Sequence, residues 1–206
     1  MCRFKLPKGR RGIRACAISD DGKRSVVVDI SNDHCVTCFD NASGNKVWEQ
    51  KGGPDTIVDV AFQKGTYDVA AAGVKKVQFF AGDDGNNRGG IIGDHDRTNF
   101  GSIRGMGESN EAGCWVAAGA NGQLYWWDSQ RKVCKVQTVC AKKPIISLQV
   151  CSKKIMCGSS NGDLYAMEHD GSNCETMCSH HDSVRAICMK EGKCALGLGD
   201  STICIG

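Results

Sequence analysis

Cysteine and histidine residues occur close together in two segments, and this combination is the one that structural zinc sites use. The residues are His34, Cys35 and Cys38 in the first segment, and Cys174, Cys178, His180 and His181 in the second. Residues three apart on a β-strand point to opposite faces of the sheet, so two thiols at this spacing cannot easily bind one metal. We therefore interpret the first pair of cysteines as packed thiols. The second segment is better placed, near a predicted loop, but zinc is the less favoured interpretation there as well.

A second group has the side chains of acid–base catalysis, because Asp94, His95 and Asp96 provide two carboxylates and an imidazole. They lie in the polar, glycine-rich stretch from Gly82 to Phe100, where no partner nucleophile can be identified. We interpret them as a solvated turn. The stretch also lacks the Lys-Ser/Thr of a P-loop, and no G-x-S-x-G motif occurs in the chain. The sequence therefore predicts no catalytic activity, no bound metal and no cofactor.

Lysine pairs recur in the predicted turns, and they are the candidate partner-binding residues. The pairs are Lys75 with Lys76, Lys142 with Lys143, and Lys153 with Lys154, and a basic cluster at Lys5, Lys8, Arg10 and Arg11 precedes the first strand. If corresponding turns project on a common rim, these charges would bind an acidic protein surface. The alternative is a solvated surface balanced by the 23 acidic residues. A net charge of +3 and the lack of aromatic stacking platforms beside the lysines do not indicate a nucleic-acid binder.

The elements that must position these residues are short strands, which recur at a nearly constant period. The third strand of successive units ends at Asp40, Ala81, Asp128, Glu168 and Gly206, so neighbouring ends are 41, 47, 40 and 38 residues apart. A period near 40 with four strands per unit is typical of WD40-type β-propeller blades. The sequence therefore predicts an all-β, single-domain β-propeller over residues 1–206, with about five blades of four antiparallel strands. The blades are predicted at about 12–53, 54–100, 101–143, 144–181 and 182–206.

Two of the predicted blades depart from this pattern. In the second blade, the spacing of 47 predicts a long surface loop from Gly82 to Phe100, with a degraded outer strand around Gly90 to Ile92. The fifth blade ends after its third strand, which leaves an open sheet edge. Either Arg3 to Leu6 supply the missing strand and close a five-blade ring, or the chain is part of a larger propeller. We favour the second interpretation.

Alternation along the strands predicts which side chains pack between blades. They are Val26, Val28, Val60, Phe62, Trp115, Leu124, Trp126, Ile146, Leu148, Ile187 and Leu196. Most of the 14 cysteines also fall within strands, among Val, Ile and Ala, which favours packed and reduced thiols. No stretch of 18 apolar residues occurs, and the first eleven residues lack the apolar core of a signal peptide. We therefore expect a cytoplasmic setting and no membrane association.

Two local patterns predict turn geometry in the later blades. Asn121-Gly122 and Asn161-Gly162 occupy the same place in consecutive units, and Asn-Gly favours a two-residue type I′ hairpin turn. In the fifth unit, His181 precedes the first strand and Asp200 lies in the turn between the second and third strands. These two residues are expected to form a buried, hydrogen-bonded pair that fastens the blade.

From Arg11 to Asp40, a V-V-D run is followed by a D-x-S-N-x-H turn and a hydrophobic strand. This segment is the most specific part of a resemblance between the first two units and the early blades of the echinoderm microtubule-associated protein-like (EMAP-like) family. Asp29, Ser31, Asn32 and His34 match this turn, whereas Phe39 replaces the Trp of the family pattern. The later blades, with GANGQLYWWD and GSSNGDLYAM, would match many WD40 proteins.

The EMAP-like resemblance implies tandem propellers and association with tubulin or microtubules, in the cytoplasm and the cytoskeleton. The hydrophobic family motif that precedes the first propeller is not in these residues, which supports the interpretation as part of a larger propeller. The alternative is a general WD40 scaffold that gathers other proteins without contacting tubulin.

Overall fold

The computed structural model describes residues 12–31, 34–51, 56–89, 98–107, 113–190 and 192–206. These residues form β-strands joined by turns, and no helix occurs among them. This part of the chain accordingly has no helix that is long and apolar enough to cross a membrane. Four predicted features lie outside the described residues: the strand at Gly90 to Ile92, the strand at Arg3 to Leu6, the basic cluster before Gly12, and the group Asp94 to Asp96.

The strands form five antiparallel sheets, each a meander that follows chain order. Blade 1 contains β1 (Ile13–Ile18), β2 (Arg24–Asp29), β3 (Val36–Asp40) and β4 (Lys46–Gln50), and blade 2 contains β5 (Ile57–Phe62), β6 (Val69–Gly73) and β7 (Lys76–Phe80). Blade 3 contains β8 (Phe100–Gly105), β9 (Trp115–Gly119), β10 (Gln123–Trp127) and β11 (Val133–Thr138). Blade 4 contains β12 (Ile145–Val150), β13 (Lys154–Ser159), β14 (Asp163–Glu168) and β15 (Glu175–Ser179), and blade 5 contains β16 (Val184–Lys190), β17 (Lys193–Leu198) and β18 (Ile203–Ile205). Within each blade we label the strands a to d in chain order. The predicted fold class, an all-β stack of WD40-type blades, is confirmed.

Every strand a carries the same irregularity, a β-bulge at its second residue. The bulged residues are Arg14, Val58, Gly101, Ile146 and Arg185. A bulge leaves one residue without a partner on the neighbouring strand and increases the local twist. The five a strands lie side by side in chain order, from β1 to β16. The repeat therefore extends to the backbone geometry of the strands that line the centre of the stack.

Apolar side chains fill the four interfaces between successive blades. The interface between blades 2 and 3 is the most aromatic: the rings of Phe79 and Trp115 lie 5.4 Å apart, and those of Phe100 and Tyr125 lie 5.2 Å apart. The alanines Ala61, Ala70 and Ala72 of blade 2 leave room for these large rings. Both faces of a blade carry apolar side chains, so each blade depends on the neighbouring blades to bury these side chains away from water.

The predicted interior is confirmed except at one position. Val26, Val28, Val60, Phe62, Trp115, Leu124, Trp126, Leu148 and Leu196 are buried in the interfaces, and Ile187 is half-buried against one of them. The prediction for Ile146 is wrong, because Ile145 takes the core position and is fully buried. Ile146 is the bulged residue of β12, and the bulge shifts the alternation by one position there.

The outer face of blade 5 is open. In blades 1 to 4, the two strand c side chains that point to the next blade are at most 3% exposed; they are Val36 and Cys38, Val77 and Phe79, Leu124 and Trp126, and Leu164 and Ala166. The equivalent residues of blade 5, Ile203 and Ile205, are 73% and 78% exposed. In addition, β16 does not pack beside β1 as the other a strands pack beside one another. The five blades therefore form a partial propeller.

The predicted type I′ geometry of the two Asn-Gly turns is wrong. Only the glycines have a positive φ, 80° at Gly122 and 96° at Gly162, whereas Asn121 and Asn161 do not. Each turn has three residues between the strands instead of two, so the asparagine is not required to adopt the left-handed conformation. This is the geometry of a turn closed by a left-handed glycine, the next most common hairpin connection.

Candidate partner-binding surface

Because each sheet is a meander, its turns divide between two opposite ends of the blade. The b–c turns and the loops from strand d to the next strand a lie at one end, which we call the d–a face. The a–b and c–d turns lie at the other end, the a–b face. Neighbouring blades are joined at both ends: Ser147 Oγ donates to Val184 O at 2.6 Å near the d–a face, and Gly65 N donates to the Asp20 carboxylate at 3.1 Å on the a–b face. The blades are therefore stacked in a single orientation.

The glycines of the b–c turns anchor the d–a loops. The carbonyl oxygen of Gly122 accepts hydrogen bonds from Val139 N and Cys140 N, at 3.0 and 3.1 Å, and that of Gly162 accepts one from His180 N at 2.9 Å. A Cβ atom would lie 1.7 Å from the Cys140 carbonyl oxygen if placed on Gly122, and 2.0 Å from the His180 carbonyl oxygen if placed on Gly162. Glycine is therefore required for close approach as well as for φ.

A polar network recurs beneath the same turns. In blade 3, Asn121 Nδ2 donates to Tyr125 Oη at 2.7 Å. In blade 4, the Asp163 carboxylate accepts hydrogen bonds from Ser179 Oγ at 2.6 Å, Asn161 Nδ2 at 2.5 Å and Tyr165 Oη at 3.0 Å. These bonds, with that of Ser179 foremost, hold the pKa of Asp163 below its ordinary value. The sequence signal for this network is the motif Asn-Gly-x-x-Tyr, which is repeated at an interval of 40 residues.

The six candidate lysines do not share one rim. Lys75 and Lys76 lie at the b–c turn of blade 2, and Lys142 and Lys143 lie in the loop from blade 3 to blade 4, so both pairs are on the d–a face. Lys153 lies in the a–b turn of blade 4 and Lys154 begins strand b directly after it, so both are on the opposite face. The expectation of a common rim is therefore wrong for the third pair, because a–b and b–c turns stand at opposite ends of strand b.

Among the described residues, the four lysines of the d–a face lack the ionic partner that Lys154 has on the a–b face. On the d–a face, Lys75, Lys142 and Lys143 are exposed and Lys76 is half-buried. None of these four forms an ion pair in the part of the chain that the structure describes. The φ angles of Lys75 and Lys142, 61° and 62°, place both residues at the bend of their turns. On the a–b face, Lys154 Nζ lies 2.9 Å from Glu175 Oε1, and this bond raises the pKa of Lys154.

Carboxylates on the d–a face are engaged within the protein. Besides Asp163, Asp200 accepts hydrogen bonds from Thr202 N at 3.0 Å and from Thr202 Oγ1 at 2.6 Å, and these bonds lower its pKa. Asp182 accepts from Ser183 N at 2.5 Å. Lys143 contributes to the lowered pKa of Asp163 through its charge, without forming an ion pair with it. Among the described residues, the d–a face therefore presents unpaired lysines beside carboxylates that already hold partners.

On the a–b face, by contrast, charges of both signs connect neighbouring blades. Tyr67 Oη donates to Asp21 at 2.6 Å, and the guanidinium of Arg24 lies 4.0 Å from the centroid of the Tyr67 ring. Arg131 and Asp68 form an ion pair at 2.5 Å between blades 3 and 2. Sequence reasoning missed these contacts, because their partners are 46 and 63 residues apart and nothing local indicates the pairing. This face serves chiefly to hold the stack together.

The expected pair in blade 5 is formed, but it is not buried. His181 Nε2 lies 2.6 Å from Asp200 Oδ2, while the His181 side chain is 77% exposed. Burial of this pair would require another element of structure over the b–c turn of blade 5, where the outer face of the blade is open. An exposed pair of this kind contributes little to stability.

The two cysteines of the first segment are packed in the interior, and those of the second segment form no metal-ligand cluster with other described residues. Cys35 and Cys38 are both fully buried, and burial raises the pKa of Cys38 to about 11. In the second segment, Cys178 Sγ lies 3.4 Å from His180 Nε2, and Cys204 Sγ lies 3.9 Å from His180 Nδ1. The two thiols thus approach opposite nitrogens of one ring, and no group of three metal-ligating side chains occurs among the described residues.

A cavity of about 1030 Å³ lies along the a strands of blades 1 to 4, at the centre of the stack. Its most polar feature is Asp59, whose Oδ2 accepts hydrogen bonds from Ser102 Oγ at 2.6 Å, Ile103 N at 3.0 Å and Arg104 Nη1 at 2.6 Å. This carboxylate joins blades 2 and 3 and is saturated by its neighbours. The geometry therefore assigns Asp59 a structural role in the wall of this cavity.

Comparison with known proteins agrees with the WD-type repeat. A ciliary WD repeat-containing protein, ctxp80, from Euplotoides octocarinatus is 29% identical to this chain over 211 aligned residues. The alignment covers 98% of this chain and 28% of the relative, so the chain spans little more than a quarter of the relative's length. No protein-family model matches the chain.

Proposed function

We propose that this partial propeller is a non-catalytic interaction module of an EMAP-like, microtubule-associated protein, with tubulin or the microtubule lattice as its partner. The observation that carries the proposal is the set of exposed lysines without an ion pair in the described residues, on a face whose turns and loops are joined by backbone hydrogen bonds. A rigid surface favours binding, because little conformational entropy is lost when the partner docks. Complementary charge would steer an acidic partner such as tubulin to this face.

Two further observations support the same proposal. The turn that resembles the EMAP-like family is well formed where the structure describes it: the Asp29 carboxylate accepts a hydrogen bond from Ser31 N at 2.9 Å and is itself buried. The relative ctxp80 is named as a ciliary protein, which points towards the cytoskeleton. On this proposal the protein works in the cytoplasm at the microtubule cytoskeleton, without nucleic acid, membrane, metal or cofactor.

Co-sedimentation with stabilised microtubules tests the proposal. We expect the 206-residue chain to pellet with microtubules at low ionic strength and to be released as salt rises, because exposed charges are screened over about 8 Å at physiological ionic strength. A chain that stays in the supernatant at low salt, as a control protein of similar charge does, would contradict tubulin binding. Recovery of another stable protein partner that is insensitive to microtubule disassembly would favour the alternative, a general WD40 scaffold.

A further inference from the structure

The two faces of the stack differ in how their charges are used, and the difference points to one binding face. On the a–b face, Asp21, Asp68 and Arg131 hold neighbouring blades together, and Lys154 is paired with Glu175. A partner that used these charges would have to compete with contacts that stabilise the stack. Exposed lysines without an ion pair in the described residues, among them Lys64, Lys132 and Lys153, also lie on this face, but so do the exposed carboxylates of Asp20, Asp83 and Asp84. The a–b face therefore presents charges of both signs and is less suited to binding an acidic partner.

On the d–a face, carboxylates are held by hydrogen bonds within the protein, whereas several lysines have no ionic partner in the described residues. Asp163, Asp182 and Asp200 accept hydrogen bonds from neighbouring side chains and backbone amides, whereas the lysine side chains extend from their turns without an ionic partner in the described residues. An engaged carboxylate keeps its charge but is fixed in place, while an unpaired lysine can reach outward to a ligand. The side chains that remain free to bind are consequently cationic.

Their placement indicates the form of the partner. Lys75 lies on blade 2, while Lys142 and Lys143 lie in the loop between blades 3 and 4, so the two groups stand on different blades. An extended segment that carries several carboxylates can contact both groups at once. We propose that the d–a face binds an acidic, extended polypeptide segment through Lys75, Lys76, Lys142 and Lys143, and that Lys153 and Lys154 take no part. This inference rests on the proposed function and specifies its contact surface.

A nucleic acid would present the same negative charge, but the described surface does not favour it. The exposed large apolar side chains are all aliphatic or Met: they are Ile13, Ile18, Ile30, Val47, Val136, Met177, Ile203 and Ile205. Single-stranded nucleic acids are usually held by bases stacked on exposed aromatic rings. Lysine also binds carboxylates as a point charge without a demanding geometry, which suits an acidic segment of variable sequence.

The probe for the test is a fluorescently labelled polyglutamate peptide, with binding followed by anisotropy at low ionic strength. Reversing either pair, with Lys75→Glu and Lys76→Glu or with Lys142→Glu and Lys143→Glu, should weaken binding about tenfold, since each reversal replaces attraction by repulsion at an exposed site. The matched control is Lys153→Glu, an exposed lysine on the a–b face, which should leave the affinity within about twofold. All variants should unfold at the wild-type temperature.

Three outcomes would overturn the inference. They are an equal loss in the Lys153→Glu control, no loss in either pair variant, and tighter, lysine-dependent binding of a single-stranded oligonucleotide than of polyglutamate. Microtubule co-sedimentation of the same variants separates this inference from the proposed function. Lysine-dependent polyglutamate binding without pelleting would contradict the microtubule proposal and leave the binding face standing. Pelleting that is lost only in Lys153→Glu would overturn the binding face and leave the microtubule proposal standing.

Discussion

Leu164 and Ile203 occupy the same strand c position in blades 4 and 5, and they allow a direct test of the open face. Each pairs with a glycine of strand b, Leu164 with Gly158 and Ile203 with Gly197. Their backbone environments therefore match, while their exposures are 3% and 73%. The difference arises because blade 5 covers Leu164 and no described blade covers Ile203.

Truncation to alanine should consequently have very different costs at the two positions. Leu164→Ala removes buried methyl groups from the blade 4–5 interface, where such changes lower the free energy of unfolding by about 2–5 kcal/mol. Ile203→Ala removes groups that are already mostly in water, so its cost should stay below about 1 kcal/mol. The expected difference of at least ~1 kcal/mol is read from the shift of the unfolding midpoint at constant m-value, which avoids the error of extrapolating to water.

Urea unfolding followed by tryptophan fluorescence measures both costs, with the m-value as a check that the transition itself is unchanged. Leu124→Ala, at the equivalent buried position of blade 3, serves as a second reference and should behave like Leu164→Ala. Equal losses for Leu164→Ala and Ile203→Ala would refute the reasoning, because they would mean that the outer face of blade 5 is covered in solution.

Three further predictions concern a turn, a carboxylate and the thiols. Gly162→Ala should lower the free energy of unfolding by more than about 1 kcal/mol, because the new Cβ meets the His180 carbonyl at a φ of 96°. The pKa of Asp163 is lowered in the folded state, so its stabilisation is present above the unfolded carboxyl pKa of about 4 and is lost as pH falls through the lowered value. In Asp163→Asn, the free energy of unfolding should therefore fall less steeply as the pH is lowered into the acid range. Maleimide should label exposed Cys174 in the native state but not Cys157, because Cys157 is buried; desolvation raises the pKa of both thiols, so access decides the difference.

The glycine prediction has a matched control variant, and each of the other two has an outcome that would contradict it. Gly22 also has a positive φ, 69°, but a Cβ there would meet nothing within 4 Å, so Gly22→Ala separates the cost of the left-handed backbone from that of the close contact. In thermal unfolding, the midpoint temperature of Gly162→Ala should be lower than that of Gly22→Ala. An acid limb that is unchanged in Asp163→Asn would show that other carboxylates dominate it. Labelling of Cys157 at the rate of Cys174 would show that the blade 3–4 interface opens readily.

Much of the fold follows from local sequence. The third strand ends at the predicted residue in blade 1, at Asp40, and in blade 4, at Glu168, because alternating apolar residues and turn-forming residues are local signals. The burial of Cys35 and Cys38 follows from the same alternation. The misassignment of Ile146 has the opposite origin: a bulge is a backbone event that alternation does not reveal.

The candidate surface was less accessible to sequence reasoning. The lysine pairs could be found, but their division between two faces depends on which turn of the meander each pair occupies. The contacts of Asp21 with Tyr67 and of Asp68 with Arg131 depend on the stacking of blades, and this stacking decides which charges remain unpaired. Unpaired charge is thus a property of the assembled stack, and the count of basic and acidic residues does not predict it.

Zero-length cross-linking of the chain to stabilised microtubules with a carbodiimide tests the central claim most directly, because it joins a lysine amine to a carboxylate only where the two are in contact. The account predicts that mass spectrometry will find cross-links from Lys75, Lys142 or Lys143 to carboxylates of tubulin, and that excess polyglutamate will suppress them. Cross-links confined to Lys153 or Lys154, or none above the level seen with an unrelated basic protein, would contradict it.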